Sequence, residues 1–413
     1  MRDSWKEMVL GEIVELGKGG SWGQDDQAAD LIQAVCLRGT DLAELIDKKI
    51  PEAPVRWIKE SELRKSKCSK DMVLIETSGS KCGRSIVLTD EILAKFDLPV
   101  IYSNFCRTLT IDIKTVTREF VEIWFSHNYA NGLIPSYRAT SAMPNLDVKA
   151  LLRVENIKVP PLPEQKRIVD LISSVDSYIQ ALEQQLASVR SVSNAQLEKT
   201  VSEFNNDWLE VALGDVLEIS RGGSPRPIQE YLTDSEDGIN WVKIADATRS
   251  EKYIYSTLQK IKREGISRSR EVFSGDFVLS NSMSFGRPYI MRTDGCIHDG
   301  WLLLSKVGNN FDEDFLYNLL NSDYVQRQFE SLAAGSGVRN LNIEVVKKVK
   351  VKIPKIEVQR ELASVINEFD NFIIKLTKQI NSGLDLRQAL RSDLLSGDHE
   401  IPSSYDKVIG AAS

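Results

Sequence analysis

The sequence of 413 residues lacks most of the features that mark membrane, secreted and metal-dependent proteins. Its three histidines, His127, His298 and His399, are too scattered to predict a histidine-based metal site or catalytic triad. Its five cysteines form no Cys-x-x-Cys pair, which indicates reduced thiols and a cytoplasmic location. No apolar run reaches the length of a membrane span, and the first residues lack the apolar core of a signal peptide. We therefore expect neither membrane insertion nor secretion.

Motifs of catalysis are missing as well. The sequence has no Walker loop, no Gly-x-Gly-x-x-Gly opening a helix, and neither an Asn-Pro-Pro-Tyr nor an Asp-Pro-Pro-Tyr methylation motif. The neighbours His298 and Asp299 are interpreted as a surface pair rather than as a base with its orienting acid. We expect a chain that binds rather than catalyses, and that holds no metal and no cofactor of its own.

The length of the chain indicates two or more domains, and the distribution of its charge shows basic segments. The chain is 42% hydrophobic and 27% charged, as soluble globular proteins are, and its formal net charge is -7. Basic residues nevertheless concentrate from Arg56 to Lys70 and from Leu258 to Arg270. A basic run is most often only a solvated face, but two runs at matching places in both halves favour a nucleic-acid partner.

An internal repeat is the strongest pattern in the sequence. The segment Trp5–Ser21 reads WKEMVLGEIVELGKGGS, and the segment Trp208–Ser224 reads WLEVALGDVLEISRGGS. Their Trp, Leu-Gly, Glu and Gly-Gly-Ser letters coincide without a gap, which indicates a duplication.

The repeat extends through the rest of each half, so that each half is predicted to be a mixed α/β domain followed by a long helix. The matched segments are a buried strand (71–75 and 276–280), a loop ending in Gly-Arg, a second strand (86–88 and 289–291), a helix (119–129 and 314–329), an Asn-Leu pair (145–146 and 340–341) and an alternating strand that is clearest at 349–353.

The two long helices each follow a proline stop and carry apolar residues at heptad spacing. These residues are Ile168, Ile172, Val175, Ile179, Leu182 and Leu186 in the first helix, and Leu362, Ile366, Phe369, Ile373, Leu376 and Ile380 in the second. A heptad seam needs a partner helix, and antiparallel pairing is the simplest arrangement for this chain. A helix of about 40 residues spans roughly 60 Å. The pair is therefore expected to be a rigid spacer that relates two similar domains by a pseudo-twofold axis, with an imperfection near Gly383.

Glycine, serine, asparagine and arginine residues at loop ends predict two DNA-reading faces, because glycines allow close approach and the polar side chains can contact phosphates or base edges. The candidates in the first half are Lys18, Gly19, Gly20, Ser21, Trp22, Arg38, Ser78, Ser80, Lys81, Arg84, Tyr137, Arg138, Ser141 and Asn145. Those in the second half are Arg221, Gly222, Gly223, Ser224, Arg226, Lys243, Asn281, Ser282, Ser284, Arg287, Arg339 and Asn340. Each arginine could instead be a surface salt-bridge partner.

Taken together, these motifs resemble the specificity subunit of Type I restriction-modification systems along essentially the whole chain. The resemblance rests on the duplicated Gly-Gly-Ser segments, the Asp-x-Val-Leu strand with its Gly-Arg loop, and Pro-Leu-Pro-Glu-Gln at the start of the central helix. The segment Asp393–Gly397 also resembles the close of that family's second conserved helix. The second helix keeps only the proline and glutamine of the first opening, and Trp22 stands where the second entry loop has Pro225.

The resemblance implies a non-catalytic subunit of a system that defends against foreign DNA. Residues 1–160 and 206–354 would be target-recognition domains that each read one half of a bipartite, asymmetric site in double-stranded DNA. Residues 161–205 and 355–397 would be the spacer helices, followed by a tail at 398–413. The helical region that carries the heptad residues, from about Gln165 to Glu203 and from Gln359 to Leu395, would be the docking platform. The partners would be two methyltransferase subunits that carry S-adenosylmethionine, and through them restriction and translocase subunits that use ATP and Mg.

Two other functions remain open from the residues alone. The chain could be a coiled-coil scaffold that organises a protein assembly without reading DNA, or an enzyme whose site has no recognisable motif. A scaffold would show no retention on DNA even with all partners present. The absence of a methylation motif disfavours the enzyme.

Overall fold

A computed structural model describes residues 5–140, 144–202, 208–247, 252–281, 285–334 and 340–406. The chain divides into two compact units, and each contains one copy of the repeat. Unit one consists of Met1–Ala181 and Ile380–Ser413, and unit two consists of Leu182–Gln379.

The first half of the chain alternates short strands and helices before one long helix. Its strands are β1 (Lys6–Val9), β2 (Val14–Gly19), β3 (Leu31–Leu37), β4 (Val55–Lys59), β5 (Val73–Glu76), β6 (Ser85–Val87), β7 (Val100–Tyr102), β8 (Cys106–Ile111) and β9 (Asn156–Val159). Its helices are α1 (Gly39–Ile46), α2 (Glu60–Ser66), α3 (Asp90–Leu93), α4 (Arg118–Ala130), α5 (Leu133–Ser136), α6 (Val148–Val154) and α7 (Leu162–Ser202).

The second half repeats this order with additional short strands. Its strands are β10 (Leu209–Ala212), β11 (Glu218–Arg221), β12 (Leu232–Thr233), β13 (Ile239–Val242), β14 (Tyr253–Ile254), β15 (Gln259–Ile261), β16 (Arg270–Val272), β17 (Phe277–Ser280), β18 (Pro288–Met291), β19 (Gly295–Ile297), β20 (Trp301–Ser305) and β21 (Lys350–Ile353). Its helices are α8 (Leu213–Val216), α9 (Ile244–Ala247), α10 (Glu313–Asn321), α11 (Asp323–Ala334), α12 (Ile343–Lys348) and α13 (Ile356–Ser396).

Equivalent sheets form in the two units, which confirms the predicted mixed α/β fold. In unit one the strand orders are β2-β8-β5-β6, β4-β3-β7 and β1-β9. In unit two they are β11-β20-β17-β18-β14, β12-β15-β13-β19-β16 and β10-β21. One equivalent strand pair is parallel in each unit, β3 with β7 in unit one and β13 with β19 in unit two. Most other pairs are antiparallel. All residues of β5 and β17 are buried, as their continuous apolar runs predict.

The strand pairing corrects the predicted register of the repeat by one residue. Val73 pairs with Leu109 and Phe277 pairs with Leu304, so Val73 corresponds to Phe277 rather than to Val278. The turn before each strand explains the shift, because it requires a positive φ, which Asp71 supplies at 65° and Gly275 at 97°. Aspartate adopts this conformation more readily than most residues. The two aspartates that coincide in the sequence therefore lie at different positions.

A second correction concerns the Gly-Gly-Ser segments, which do not superpose without a gap. The pairing of β2 with β8 shifts between Leu16 and Gly19, as a β-bulge does. Gly20 N–H donates to Cys106 O in unit one, and Gly222 N–H donates to Trp301 O in unit two. Gly20 therefore corresponds to Gly222, and Trp22 corresponds to Ser224.

The predicted helices are found, with one exception. The helix expected over 119–129 is α4, but the helix expected over 314–329 is two helices, α10 and α11. Ser322 ends the first of these, since its hydroxyl donates to Leu319 O at 2.7 Å and accepts from Val325 N–H at 3.3 Å. Serine favours such caps because its side chain replaces a backbone hydrogen-bond partner.

The two long helices start two residues after Pro160 and Pro354 and run antiparallel within each unit. In unit one, Asp176 of α7 pairs with Arg387 and Arg391 of α13. Helix α13 passes unbroken through Gly383, where a Cβ would lie 2.9 Å from Ile179 Cγ1. The expected imperfection is therefore absent from the helix, and the glycine lets Ile179 pack closely.

A buried glutamine joins each long helix to its own domain. Gln165 accepts from Thr117 N–H at 2.8 Å and donates to Thr115 O and Pro160 O. Gln359 repeats every contact, with Asp312 N–H at 2.8 Å and with Asn310 O and Pro354 O at 3.0 Å. The shared proline and glutamine of the two helix openings thus make one duplicated joint.

All five cysteines are buried with free thiols. In the part of the chain that the structure describes, no helix meets the length and hydropathy that crossing a membrane requires.

Candidate nucleic-acid interface

Four loops meet at one end of the sheets in unit one and form what we call the first loop cluster: the entry loop 18–23, the hairpin loop 77–83, the turn 103–105 and the segment 144–146. Ser21 N–H donates to Tyr102 O, Thr77 N–H donates to Phe105 O, and Leu146 N–H donates to Thr77 O, each at 2.8–2.9 Å. Backbone hydrogen bonds therefore connect loops that lie far apart in the sequence.

The second loop cluster, in unit two, consists of the entry loop 221–226, Asn281, the turn 298–300 and 340–341. The same bonds recur, from Gly223 N–H to Ile297 O, from Asn281 N–H to Gly300 O and from Leu341 N–H to Asn281 O. These contacts confirm the predicted match of the two Asn-Leu pairs. The match of the two Gly-Arg loop ends is confirmed by the bonds from Glu76 N–H to Arg84 O and from Ser280 N–H to Arg287 O. The two units therefore contain loop clusters that are held by the same backbone hydrogen bonds.

A glycine at the same position of each entry loop packs closely against the turn. A Cβ at Gly20 would overlap the carbonyl oxygen of Tyr102, and a Cβ at Gly222 would overlap that of His298. In contrast, a Cβ at Gly19 would meet no heavy atom within 4 Å. Gly20 and Gly222 therefore hold the entry loops against the turn, while Gly23 and Gly223 pack against the carbonyl oxygens of Trp57 and Arg268.

In the second cluster the predicted residues surround Asp299. The Asp299 carboxylate accepts from Ser224 Oγ at 2.7 Å and lies 3.6 Å from Arg226 Nη2. The Asp299 carbonyl oxygen accepts from Arg221 Nε at 3.1 Å and from Asn281 Nδ2 at 2.8 Å. The structure thus brings four predicted residues together around Asp299, which the sequence had marked only as half of a His298–Asp299 surface pair.

The electrostatics of this group favour a charged carboxylate beside a neutral imidazole. The hydrogen bond from Ser224 lowers the pKa of Asp299, with further help from His298 and Arg226. Burial lowers the pKa of His298, although Asp299 opposes that shift. At neutral pH the cluster presents one negative acceptor among exposed arginines.

In the first cluster an aromatic pair occupies the corresponding place. Trp22 packs edge-on to Phe105, with 6.5 Å between ring centroids, and the Arg56 guanidinium lies 4.6 Å from the Trp22 ring. Arg56 is buried and also pairs with Asp25. Ser78 Oγ bonds Asn145 Oδ1 at 2.5 Å, which joins two predicted residues. The predicted Lys18, Ser80 and Lys81 are solvent-exposed on these loops.

Three predicted residues support the first cluster from within the fold instead of facing a ligand. The Arg84 guanidinium pairs with buried Glu76 at 2.7 Å, and its side chain is only 14% exposed. Arg138 donates to Cys82 O and Ser80 O and stacks on Tyr129. The Tyr137 hydroxyl donates to Glu155. In this structure these three groups therefore support the loops, and a base contact by any of them would require it to exchange an existing bond.

Arg38 and Lys243 occupy equivalent positions after β3 and β13. The backbone N–H of each donates to a buried aspartate three residues later, Asp41 at 2.7 Å and Asp246 at 2.8 Å. The Arg38 guanidinium also binds Asp41 with two further bonds, and the Lys243 ammonium donates to Gln259. Both residues cap a helix beside their loop cluster.

Other predicted residues have different environments. The Arg287 guanidinium lies 5.2 Å from the Tyr289 ring centroid, and Asn340 is exposed. Ser141, Ser282, Ser284 and Arg339 lie outside the described residues.

Sequence reasoning missed three features of the clusters. Asn104 and Asp299 occupy one position in the two turns, but their flanking letters, Ser-Asn-Phe and His-Asp-Gly, share nothing. The exposed Arg268 and Arg270 lie beside the second entry loop, where Arg270 Nε donates to Arg221 O at 3.5 Å. Their only signal was the basic run from Leu258 to Arg270.

The heptad residues of the helices predicted to dock partner subunits pack inside the chain, as a seam between two helices does. Ile168, Ile172, Ile179, Leu182, Ile366, Leu376 and Ile380 are buried, and Val175, Leu186, Leu362, Phe369 and Ile373 are partly buried. A buried side chain cannot contact a partner, so any docking surface lies on the other faces of α7 and α13. Within the described residues, no group of three or more histidine, cysteine or acidic side chains is placed to hold a metal ion.

Solved structures from type I restriction-modification systems resemble this chain. A chain from a study of complex assembly and conformational transition of the type I system has a TM-score of 0.64 and 15% identity, with 97% of this chain and 99% of that chain covered. The S subunit from M. genitalium has a TM-score of 0.52 and 15% identity, with 95% and 96% covered. At this identity the likeness shows the fold.

Sequence comparison gives the same family. The Type I restriction enzyme MjaVIII specificity subunit of Methanocaldococcus jannaschii is 23% identical over 301 residues, 67% of this chain and 69% of that protein. The EcoBI specificity subunit of Escherichia coli is 24% identical over 272 residues, 58% and 56% of the two chains. The family described as Type I restriction modification DNA specificity domain matches residues 2–190 and again 205–386, one match for each copy of the repeat. The duplicated chain therefore belongs to the Type I restriction-modification DNA specificity family and is a specificity subunit.

Proposed function

We propose that each loop cluster reads one half of a bipartite DNA site, so that residues 1–160 and 206–354 are the two target-recognition domains. The observation that carries this proposal is the duplication of the four-loop arrangement on one backbone frame. Because the side chains on the two frames differ, with Trp22 against Ser224 and Phe105 against Gly300, the two half-sites would differ in sequence. The target would be asymmetric.

The second part of the proposal assigns α7 and α13 two roles, as spacer and as docking platform for two methyltransferase subunits. Val358, Val365 and Phe372 recur every seven residues on α13 in unit two, and they are 36%, 44% and 41% exposed. An exposed apolar stripe at heptad spacing suits a partner helix. We propose this stripe as a contact for a methyltransferase subunit, in place of the buried heptad residues.

The catalytic chemistry would then belong to the partners. The methyltransferase subunits would carry S-adenosylmethionine, and restriction and translocase subunits joined through them would use ATP and Mg, all in the cytoplasm. With a formal net charge of -7, this chain would leave much of the phosphate neutralisation to its partners.

A genome-wide map of N6-methyladenine, with and without this gene, tests the reading function. We expect one split, asymmetric motif to disappear with the gene. Retention of the motif, or a complex with the methyltransferase that shows no sequence preference on DNA, would instead favour a scaffold.

Matched insertions test the spacer. Seven residues added after Ala181 and seven after Gln379 lengthen both helices where one unit ends and the other begins in the chain. We expect each half-site to keep its bases while the unread gap grows. An insertion in only one helix is the control, because it disturbs the antiparallel pairing. A motif with its original gap after the matched insertion would contradict the spacer role.

A further inference from the structure

The turn before β8 and the turn before β20 have the same structure in the two units. Cys106 N–H closes the first by donating to Ser103 O at 3.0 Å, and Trp301 N–H closes the second by donating to His298 O at 3.1 Å. The hairpin loops fix both turns through Phe105 O and Gly300 O. One residue, Asn104 or Asp299, therefore occupies a single defined position in each cluster.

Both side chains reach solvent from a rigid base. Asn104 is exposed although Ser103 and Cys106 beside it are buried, and the Asp299 side chain is 45% exposed between buried strands β19 and β20. Because the backbone on either side is held by hydrogen bonds, the position from which each side chain leaves the backbone is fixed before any ligand binds. Such preorganisation lowers the entropic cost of recognition.

The surroundings of Asp299 fit a group that meets DNA. A lone carboxylate would be repelled by phosphates, but the exposed Arg221 and Arg226 lie against Asp299. The exposed Arg268 and Arg270 lie beside the entry loop. Arginines of this kind contact the phosphate backbone and fix the register of a protein on the duplex. The carboxylate can then approach a base edge, where amino groups rather than phosphates are presented.

Building on the proposed function, we propose that Asn104 and Asp299 each determine one base of the two half-sites. A carboxylate only accepts hydrogen bonds, so Asp299 selects cytosine through its N4 amino group in the major groove. A carboxamide both donates and accepts, so Asn104 selects adenine through N6 and N7. The difference between amide and carboxylate at one position would make the half-sites unlike.

Exchange of the two groups tests this inference in the full chain, expressed with its methyltransferase partners. We expect Asp299→Asn to change one base of one half-site from cytosine towards adenine, and Asn104→Asp to change one base of the other half-site in the reverse sense. Discrimination at that position should change by about tenfold or more. The controls are Asp237→Asn and Asn131→Asp, which alter exposed residues outside the loop clusters and should leave the methylated motif intact.

Unchanged motifs in both exchange variants would overturn the inference while leaving the proposed function in place. Absence of any split motif with the unaltered chain would instead defeat the proposed function. If a variant abolishes methylation, its purified complex is used to select from a duplex library randomised at the half-site. If the selected duplexes show a relaxed base preference at one base pair, the assignment is supported. If they keep the original base preference at every position, the inference is overturned.

Discussion

In both units a glutamine amide joins a long helix to its domain, but the ionisable side chains beside that joint differ. In unit one, Glu122 of α4 faces Arg391 of α13, and burial raises the pKa of Glu122 to about 7. In unit two the equivalent position on α10 is Tyr317, which lies beneath the Lys252 ammonium, with 4.7 Å from Nζ to the ring centroid. Asp314 of α10 then bonds Asn367 of α13 at 2.7 Å.

This comparison separates two kinds of contact. Residues whose role depends on the backbone are the same in both units. Gln165 and Gln359 hydrogen-bond to backbone groups, and Gly20 and Gly222 leave room for a backbone carbonyl oxygen. The side-chain contacts differ at the equivalent positions compared above, such as Glu122 against Tyr317 and Trp22 against Ser224. A duplicated frame therefore constrains the residues that touch its backbone and leaves the others free to diverge, which is what two reading faces with different targets require.

The largest expected effect comes from the entry-loop glycines. Gly20→Ala and Gly222→Ala each place a methyl group against a carbonyl oxygen, and overpacking of this kind costs about 1–3 kcal/mol or more. We expect each variant to lose reading of its own half-site, measured as methylation of substrates with one randomised half. Gly19→Ala is the control, since its methyl group meets open space. Equal loss in Gly19→Ala would contradict the packing argument.

The helix joint should be nearly as sensitive. Gln165→Leu and Gln359→Leu each leave one N–H and two carbonyl groups without their partner, and an unsatisfied buried group costs about 1–3 kcal/mol. Hydrogen exchange should show lost protection at the start of α4 in the first variant and of α10 in the second. Gln185→Leu, on an exposed face of α7, should leave both regions protected. Loss of protection in both units from one substitution would indicate that the joints are not separate.

A smaller effect should depend on pH. Glu122 has a pKa near 7 in the folded chain and about 4.5 when unfolded. Between these values the folded chain holds a proton that the unfolded chain has released, so stability falls as pH rises through this window. Glu122→Gln removes this pH-dependent loss of folding stability, which amounts to at most about 3 kcal/mol. We expect its melting temperature to exceed that of the unaltered chain by more at pH 8 than at pH 5.

The matched control for this titration is Tyr317→Phe in unit two. Burial raises the pKa of Tyr317 to about 12, so this residue does not titrate between pH 5 and 8. A pH-dependent difference of the same size in Tyr317→Phe would remove Glu122 as the cause.

The smallest effect should arise at Trp5, whose indole N–H donates to Glu164 at 3.0 Å. The second half has Val358 at the position of Glu164. Glu164→Gln keeps an acceptor but removes the charge, and we expect a loss of about 1 kcal/mol, since bonds to charged groups are the stronger ones. Glu357→Gln, which changes an exposed carboxylate, should have no measurable effect on urea unfolding. A loss as large in Glu357→Gln would show that helix charge matters more than the indole contact.

The sequence predicted the features that repeat as letters. The strands, α4, the Gly-Arg loop ends, the Asn-Leu pairs and the two long helices could all be found from patterns. Three features could not be found in this way. They are the bulge after Leu16, the positive-φ position that is Asp71 in unit one and Gly275 in unit two, and the break between α10 and α11 at Ser322. Each depends on strand pairing or on local capping. Asn104 was missed, and Asp299 was noticed only as the neighbour of His298, because only backbone hydrogen bonds make the two positions equivalent.

The division of the chain has a consequence for how the protein is made. Unit two is one continuous segment, Leu182–Gln379, whereas unit one needs residues from Ile380 onwards. Ile168 and Ile172 share their core with Leu394 and Ile401, and Lys158 donates to Ser396 O at 2.6 Å. On the ribosome, therefore, the half synthesised second can complete its core first. The half synthesised first must wait with apolar surface uncovered until the last helix emerges, and in this interval a nascent chain would need protection from aggregation.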